Sequence, residues 1–84
     1  VEQRLKFVRM TAGALAGQHP WRAQVRERTG AAVVAVERER TVFVKFDGAF
    51  EVYPGDTLFV CGTTGSLEQY LREFQAAPAA GQRA

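Results

Sequence analysis

The chain has one histidine and one cysteine, His19 and Cys61, so a nucleophile–base pair would have to draw on that single imidazole. His19 precedes Pro20 in a small-residue connector, with no ligand-spaced partner beside it, and reads as a helix-entry residue. Cys61 lies between Val60 and Gly62 within an apolar run, the setting of a buried, inert thiol. One Cys and one His cannot supply the three or four ligands of a soft metal site. Asp56, in Pro54-Gly55-Asp56, is placed to tie its own turn through backbone N–H groups rather than to do acid–base work. The glycines of Gly62-Thr63-Thr64-Gly65 lack the lysine and spacing of a phosphate loop. The residue types thus point away from an enzyme and call for no cofactor.

The remaining chemistry belongs to arginine. Arg22, Arg26, Arg28, Arg38 and Arg40 fall in one stretch of the chain together with Glu27, Glu37 and Glu39. Two readings are open: a solvated surface on which the glutamates balance the arginines, or an anion clamp, since guanidinium forks match phosphate and carboxylate oxygens. Nucleic acid would in addition want exposed aromatics beside the charge. Strand patterning makes Phe46 a buried residue, and a net charge of +2 does not by itself point to nucleic acid.

These residues sit in 84 amino acids, enough for one domain with a small core. Hydrophobic content is 46 % and is concentrated mid-chain. That combination favours further burial against a second copy or a neighbouring domain. A single cysteine excludes an internal disulfide framework and fits a reducing cytoplasm. No run approaches the roughly 18–20 apolar residues of a membrane span, and no signal peptide is recognisable. A first residue Val1 in place of Met is expected of a processed chain or, by preference, of a fragment cut from a longer protein.

The element pattern is β-α-β-β-β-β-α, an α+β layer in which two helices cover a small, mostly antiparallel sheet. Leu5–Met10 reads as a strand, with Leu5 and Phe7 on one face and Lys6 and Val8 on the other. After a flexible connector, Pro20 opens a helix through Trp21 and Val25, on its inner face, to a left-handed cap at Gly30. Ala31–Val36 is a continuous apolar run, expected as a central strand covered on both faces. Glu37–Arg40 is a polar turn. Thr41–Phe46 returns as a strand with Val42, Val44 and Phe46 on one face and Phe43 on the other. Phe50–Tyr53 is expected as a further short strand, followed by a Pro54-Gly55 turn and the strand TLFVC. Ser66 is expected to cap the last helix with Gln69 as its reciprocal partner. Leu67, Tyr70, Leu71 and Phe74 form that helix's inner face. The domain is expected over residues 1–76, with 77–84 a flexible tail.

In this order, GAAVVAVERERTVFVKF followed by PGDTLFVCGTTGSLEQYLREF resembles the TrkA-C domain, the C-terminal lobe of the RCK (regulator of potassium conductance) proteins. The likeness spans roughly residues 5 to 74. It implies a cytoplasmic regulatory module of a cation, in particular potassium, channel or transporter, which forms a homodimer, associates with a membrane subunit through its parent protein and in some members senses a small anionic ligand such as a cyclic dinucleotide. The ligand-side residues so implied are Val36, Arg38, Arg40, Thr41 and Phe46. Arg38 matches the family's strand arginine. Thr41 stands near a usual Asn, and Phe46 or Asp47 where Pro is usual, departures that favour the alternative of a dimerisation lobe without ligand. A small anion- or nucleic-acid-binding module is the remaining alternative.

Overall fold

The computed structural model describes residues 4–79. Strand β1 (Lys6–Thr11) leads through a 3-10 turn at Gly13–Leu15 to helix α1 (Val25–Thr29); β2 (Ala32–Arg38), β3 (Thr41–Phe43), β4 (Thr57–Gly62) and α2 (Thr64–Glu73) follow. The strands form one sheet in the order β1-β4-β2-β3, and every pairing is antiparallel. The fold is therefore the expected α+β arrangement, with the two most apolar strands, β2 and β4, in the middle.

Alternation along the strands sorts the core. Met10 and Val8 of β1 lie opposite Leu58 and Val60 of β4, which lie opposite Val36 and Val33 of β2. Most of this set is buried, together with Leu67, Tyr70 and Phe74 of α2, while Val8 and Leu71 are half-buried against it. The helix face predicted from the spacing is thus the docked face. A register shift between Val33 and Ala35 marks a bulge in β2, which leaves Val34 exposed. The far face of the sheet, carrying Phe7, Phe59, Cys61 and Val34, has no element packed over it among the described residues, and Phe7 is 70 % exposed. β2 is central but covered on one face only.

Several local expectations are corrected. The helix expected from Pro20 is confined to Val25–Thr29, because Gln24 takes a left-handed conformation (φ 58°) and breaks the run. Trp21 consequently lies 55 % exposed, not on an inner helical face. Gly30 does supply the left-handed cap, at φ 82°. The residue capping α2 is Thr63, whose Oγ1 accepts from Ser66 N at 3.2 Å. Ser66 lies inside the helix, and Gln69 accepts instead from Arg72. β3 ends at Phe43, whose side chain is the core-side one, opposite Val36. Val42 and Val44 are exposed, and Phe46 reaches the core from the loop beyond.

Phe50–Tyr53 adds no strand to the sheet. Its backbone groups are satisfied elsewhere: Val52 N donates to Gln18 O at 3.0 Å, and Val52 O accepts from Gly17 N at 2.6 Å. Those bonds fold the 44–53 segment over the connector. The expected loose tail begins with three residues held against β1, through Thr11 N to Ala77 O at 2.8 Å and Ala79 N to Arg9 O at 2.9 Å. Its remainder, 80–84, lies outside the described residues.

Candidate functional site

The hairpin from β2 to β3 places Arg38 opposite Thr41, so Glu39 and Arg40 form a two-residue turn. Both take positive φ, 51° and 72°. That turn geometry suits the twist of the flanking strands but favours Asn or Gly; side chains of this length hold it at a cost in strain. Such strain is tolerated where surrounding structure over-determines the conformation, and here Arg38 supplies the constraint.

Arg38 reaches from the end of β2 to the Pro54-Gly55-Asp56 turn. Its Nε donates to Asp56 Oδ1 at 2.9 Å, and its Nη2 to Asp56 Oδ2 at 2.7 Å and to Glu51 O at 2.9 Å. The same Asp56 Oδ2 accepts from Tyr53 N at 2.9 Å, which is the turn-tying role expected of this aspartate. The Asp56 side chain is 1 % exposed and that of Arg38 24 %. The Asp56 hydrogen bond raises the Arg38 pKa above its ordinary range, against the opposing effect of burial. Three rings surround the guanidinium: Tyr53 with its centroid 3.8 Å from Cζ, Phe50 at 5.3 Å and Phe43 at 5.4 Å. Beside them opens a depression of about 420 Å³ lined by Arg38, Glu39, Tyr53, Gly55 and Asp56.

The site residues expected from the sequence fall on two levels around this cluster. Arg40 and Thr41 are exposed at the hairpin, and Arg38 is half-buried beneath them. Val36 and Phe46 are buried, and neither lines the depression. The five arginines are not gathered into one clamp. Arg28 donates from Nε to Glu73 Oε2 at 2.9 Å and lies over the Phe74 ring, 4.8 Å from its centroid, so it joins α1 to α2. Arg22, Arg26 and Arg40 remain exposed. Sequence reasoning missed Tyr53, Phe50 and the Glu51 carbonyl. An aspartate preceding a central strand and an arginine ending its antiparallel neighbour were the available signal for the pair.

Among the described residues no group of three or more His, Cys, Asp and Glu is arranged to hold a metal ion. No described helix is long and apolar enough to cross a membrane.

The TrkA-C domain model matches residues 22–75. No curated protein matches the chain. Solved structures of similar fold include the RCK C domain of the potassium transport protein KtrA in complex with cyclic diadenosine monophosphate, at TM-score 0.73 and 20 % identity, covering 83 % of this chain and 84 % of that one. The RCK_C domain dimer of BusR from S. agalactiae in complex with c-di-AMP matches at TM-score 0.67 and 20 % identity, covering 87 % of this chain and 91 % of that one. The GsuK RCK domain matches at TM-score 0.69 and 19 % identity, covering 84 % of this chain but 16 % of that one. At these identities the likeness is one of fold.

Proposed function

Because the chain belongs to the TrkA-C domain family, we propose that it is a dimerising regulatory domain of a cation, in particular potassium, channel or transporter, and that it senses a small anionic ligand at the hairpin end of β2. The observation that carries this reading is the open depression lined by Arg38 and the ring of Tyr53, with Arg40 exposed in the adjoining β2–β3 turn. An anion with planar rings, such as a cyclic dinucleotide, suits that combination: guanidinium groups bind phosphate oxygens, and an exposed tyrosine accepts a stacked base. Arg40, Thr41 and Tyr53 would meet the ligand, with Val36 and Phe46 supporting them from the core. The uncovered apolar sheet face supports self-association, since exposed apolar patches on soluble domains commonly mark interaction surfaces. The structures similar in fold include a domain dimer and two complexes with c-di-AMP.

A dimerisation lobe without ligand is favoured by a specific feature: Asp56 and the Glu51 carbonyl already occupy the Arg38 fork. Sedimentation at tens of micromolar, followed by calorimetric titration with c-di-AMP and with mononucleotides, separates the two. The sensing account expects a dimer with saturable binding, weakened about tenfold or more in Arg40→Ala by loss of a charge-assisted bond. A dimer that binds none of these nucleotides overturns sensing, and a monomer throughout overturns both readings.

A further inference from the structure

We propose that His19 is a proton-operated latch on the Trp21 turn that acts, through the packing of Trp21 on Phe46, on the 46–50 loop and the candidate ligand site; the latch itself is independent of the ligand reading, and only its effect on sensing rests on that reading. Both ring nitrogens are engaged. Nδ1 lies 3.1 Å from Trp21 N, and Nε2 lies 2.8 Å from Asp47 O. A peptide N–H can only donate and a carbonyl can only accept. Both contacts are therefore satisfied in one protonation state alone, the neutral imidazole with its hydrogen on Nε2.

Uptake of one proton from solvent places a second N–H on Nδ1, facing the Trp21 N–H. Donor then meets donor, and the Trp21 contact has to open while the Asp47 contact persists. Histidine is the side chain that ordinarily changes charge between about pH 5 and 8. The charged groups on the segments folded against it are Arg22, Lys45, Asp47 and Glu51. A Cβ at Gly48 would come within 3.1 Å of Arg22 Nη2, so that guanidinium lies against the 46–50 loop. Lys45 is exposed at the loop's entry, and the Asp47 carboxylate accepts from Ala49 N at 3.0 Å.

The contact the proton disrupts carries weight beyond the turn. Trp21 donates its indole N–H to Val33 O at 3.2 Å, at the bulge of β2, and packs edge-on against Phe46 with centroids 4.8 Å apart. The His19 ring also meets Phe46, at 6.4 Å. Phe46 contacts Phe50 at 4.7 Å, and Phe50 lies beneath the Arg38 guanidinium. Opening at His19 thus acts on packed rings that end at the arginine of the candidate site.

The chain's single His and single Trp make the test direct. In ¹⁵N-labelled protein without ligand, the imidazole nitrogens report tautomer and charge, and amide exchange gives the protection factor of Trp21. The latch predicts the Nε2–H tautomer at pH 8. On going to pH 5 it predicts a two- to tenfold fall in Trp21 protection, about the worth of one neutral hydrogen bond. The resonances of Phe46, Ala49 and Phe50 should move with the same midpoint. His19→Asn, whose Oδ1 keeps an acceptor for Trp21 N without titrating, should abolish the pH response. A proton on Nδ1 at pH 8, Trp21 protection unchanged between the two pH values, or a full response surviving in His19→Asn would each overturn the latch. Because no nucleotide is present, none of these outcomes depends on whether the domain binds one.

Discussion

Arg38 and Asp56 are joined by two parallel hydrogen bonds, at 2.9 and 2.7 Å, which clamp the end of β2 to the turn that launches β4. The carboxylate is almost wholly buried and the guanidinium about a quarter exposed. In such a pair, removal of one partner costs more than the pair contributes, because the other charge is left without compensation.

Arg38→Ala is therefore expected to destabilise the fold by about 3 kcal/mol, the lower end of the range for a broken buried pair, given the arginine's partial exposure. Asp56→Ala should cost a similar amount, since it also removes the acceptor of Tyr53 N. Urea unfolding of both single variants and the double variant measures this. Losses below about 0.5 kcal/mol, the range of a surface change, would show that the clamp is not formed.

The strained hairpin gives a prediction of opposite sign. Replacing Glu39-Arg40 by Asn-Gly should raise stability by about 1 kcal/mol or more, because both positions hold positive φ that long side chains adopt unfavourably. The same change should weaken anion binding if Arg40 contacts the ligand. Chemical denaturation and calorimetry on the one variant read the two effects separately, and a loss of stability would contradict the turn geometry.

Thr63→Ala should cost about 1 kcal/mol by removing the cap of α2, whose oxygen accepts from Ser66 N. Thermal unfolding of this variant should show a lowered Tm. A Tm equal to wild type would mean that the cap contributes nothing measurable.

Much of the fold was legible because pattern and burial agree. The alternation in TLFVC, the helical spacing of Leu67, Tyr70 and Phe74, and the glycine ending α1 each express one local rule. The misreadings arose where tertiary partners override local preference. Phe50–Tyr53 has a strand-like alternation, yet its backbone bonds go to Gly17, Gln18, Arg38, Asp47 and Asp56. Trp21 and Val25 are spaced for one helix face, but Gln24 interrupts the helix between them. At the candidate site the sequence marks Arg38 and Asp56 separately, while their pairing needs the antiparallel placement of β2 beside β4, which brings Glu37 opposite Thr57.

Tyr70 supplies a pH-dependent prediction. Its ring is fully buried, its hydroxyl has no hydrogen-bond partner among the described residues, and burial pushes its pKa well above the ordinary phenol range. The folded state therefore keeps this proton where the unfolded chain releases it. The resulting stability is fully present below about pH 10 and is lost as pH rises beyond it, by up to about 1.4 kcal/mol per pH unit. Tyr70→Phe should be neutral or stabilising at pH 7, because it removes an unsatisfied buried hydroxyl, and should flatten the alkaline decline. An equally steep decline in the variant would contradict this account.

The most direct measurement of the central claim is an ¹⁵N NMR titration of the domain with c-di-AMP, followed residue by residue. The account predicts saturable shifts confined to the β2–β3 hairpin around Arg38–Thr41 and to the segment from Phe46 to Asp56, with the Tyr53 and Arg40 amides among the largest. No shift at all, or salt-sensitive shifts spread equally over Arg22, Arg26 and Arg28, would contradict it.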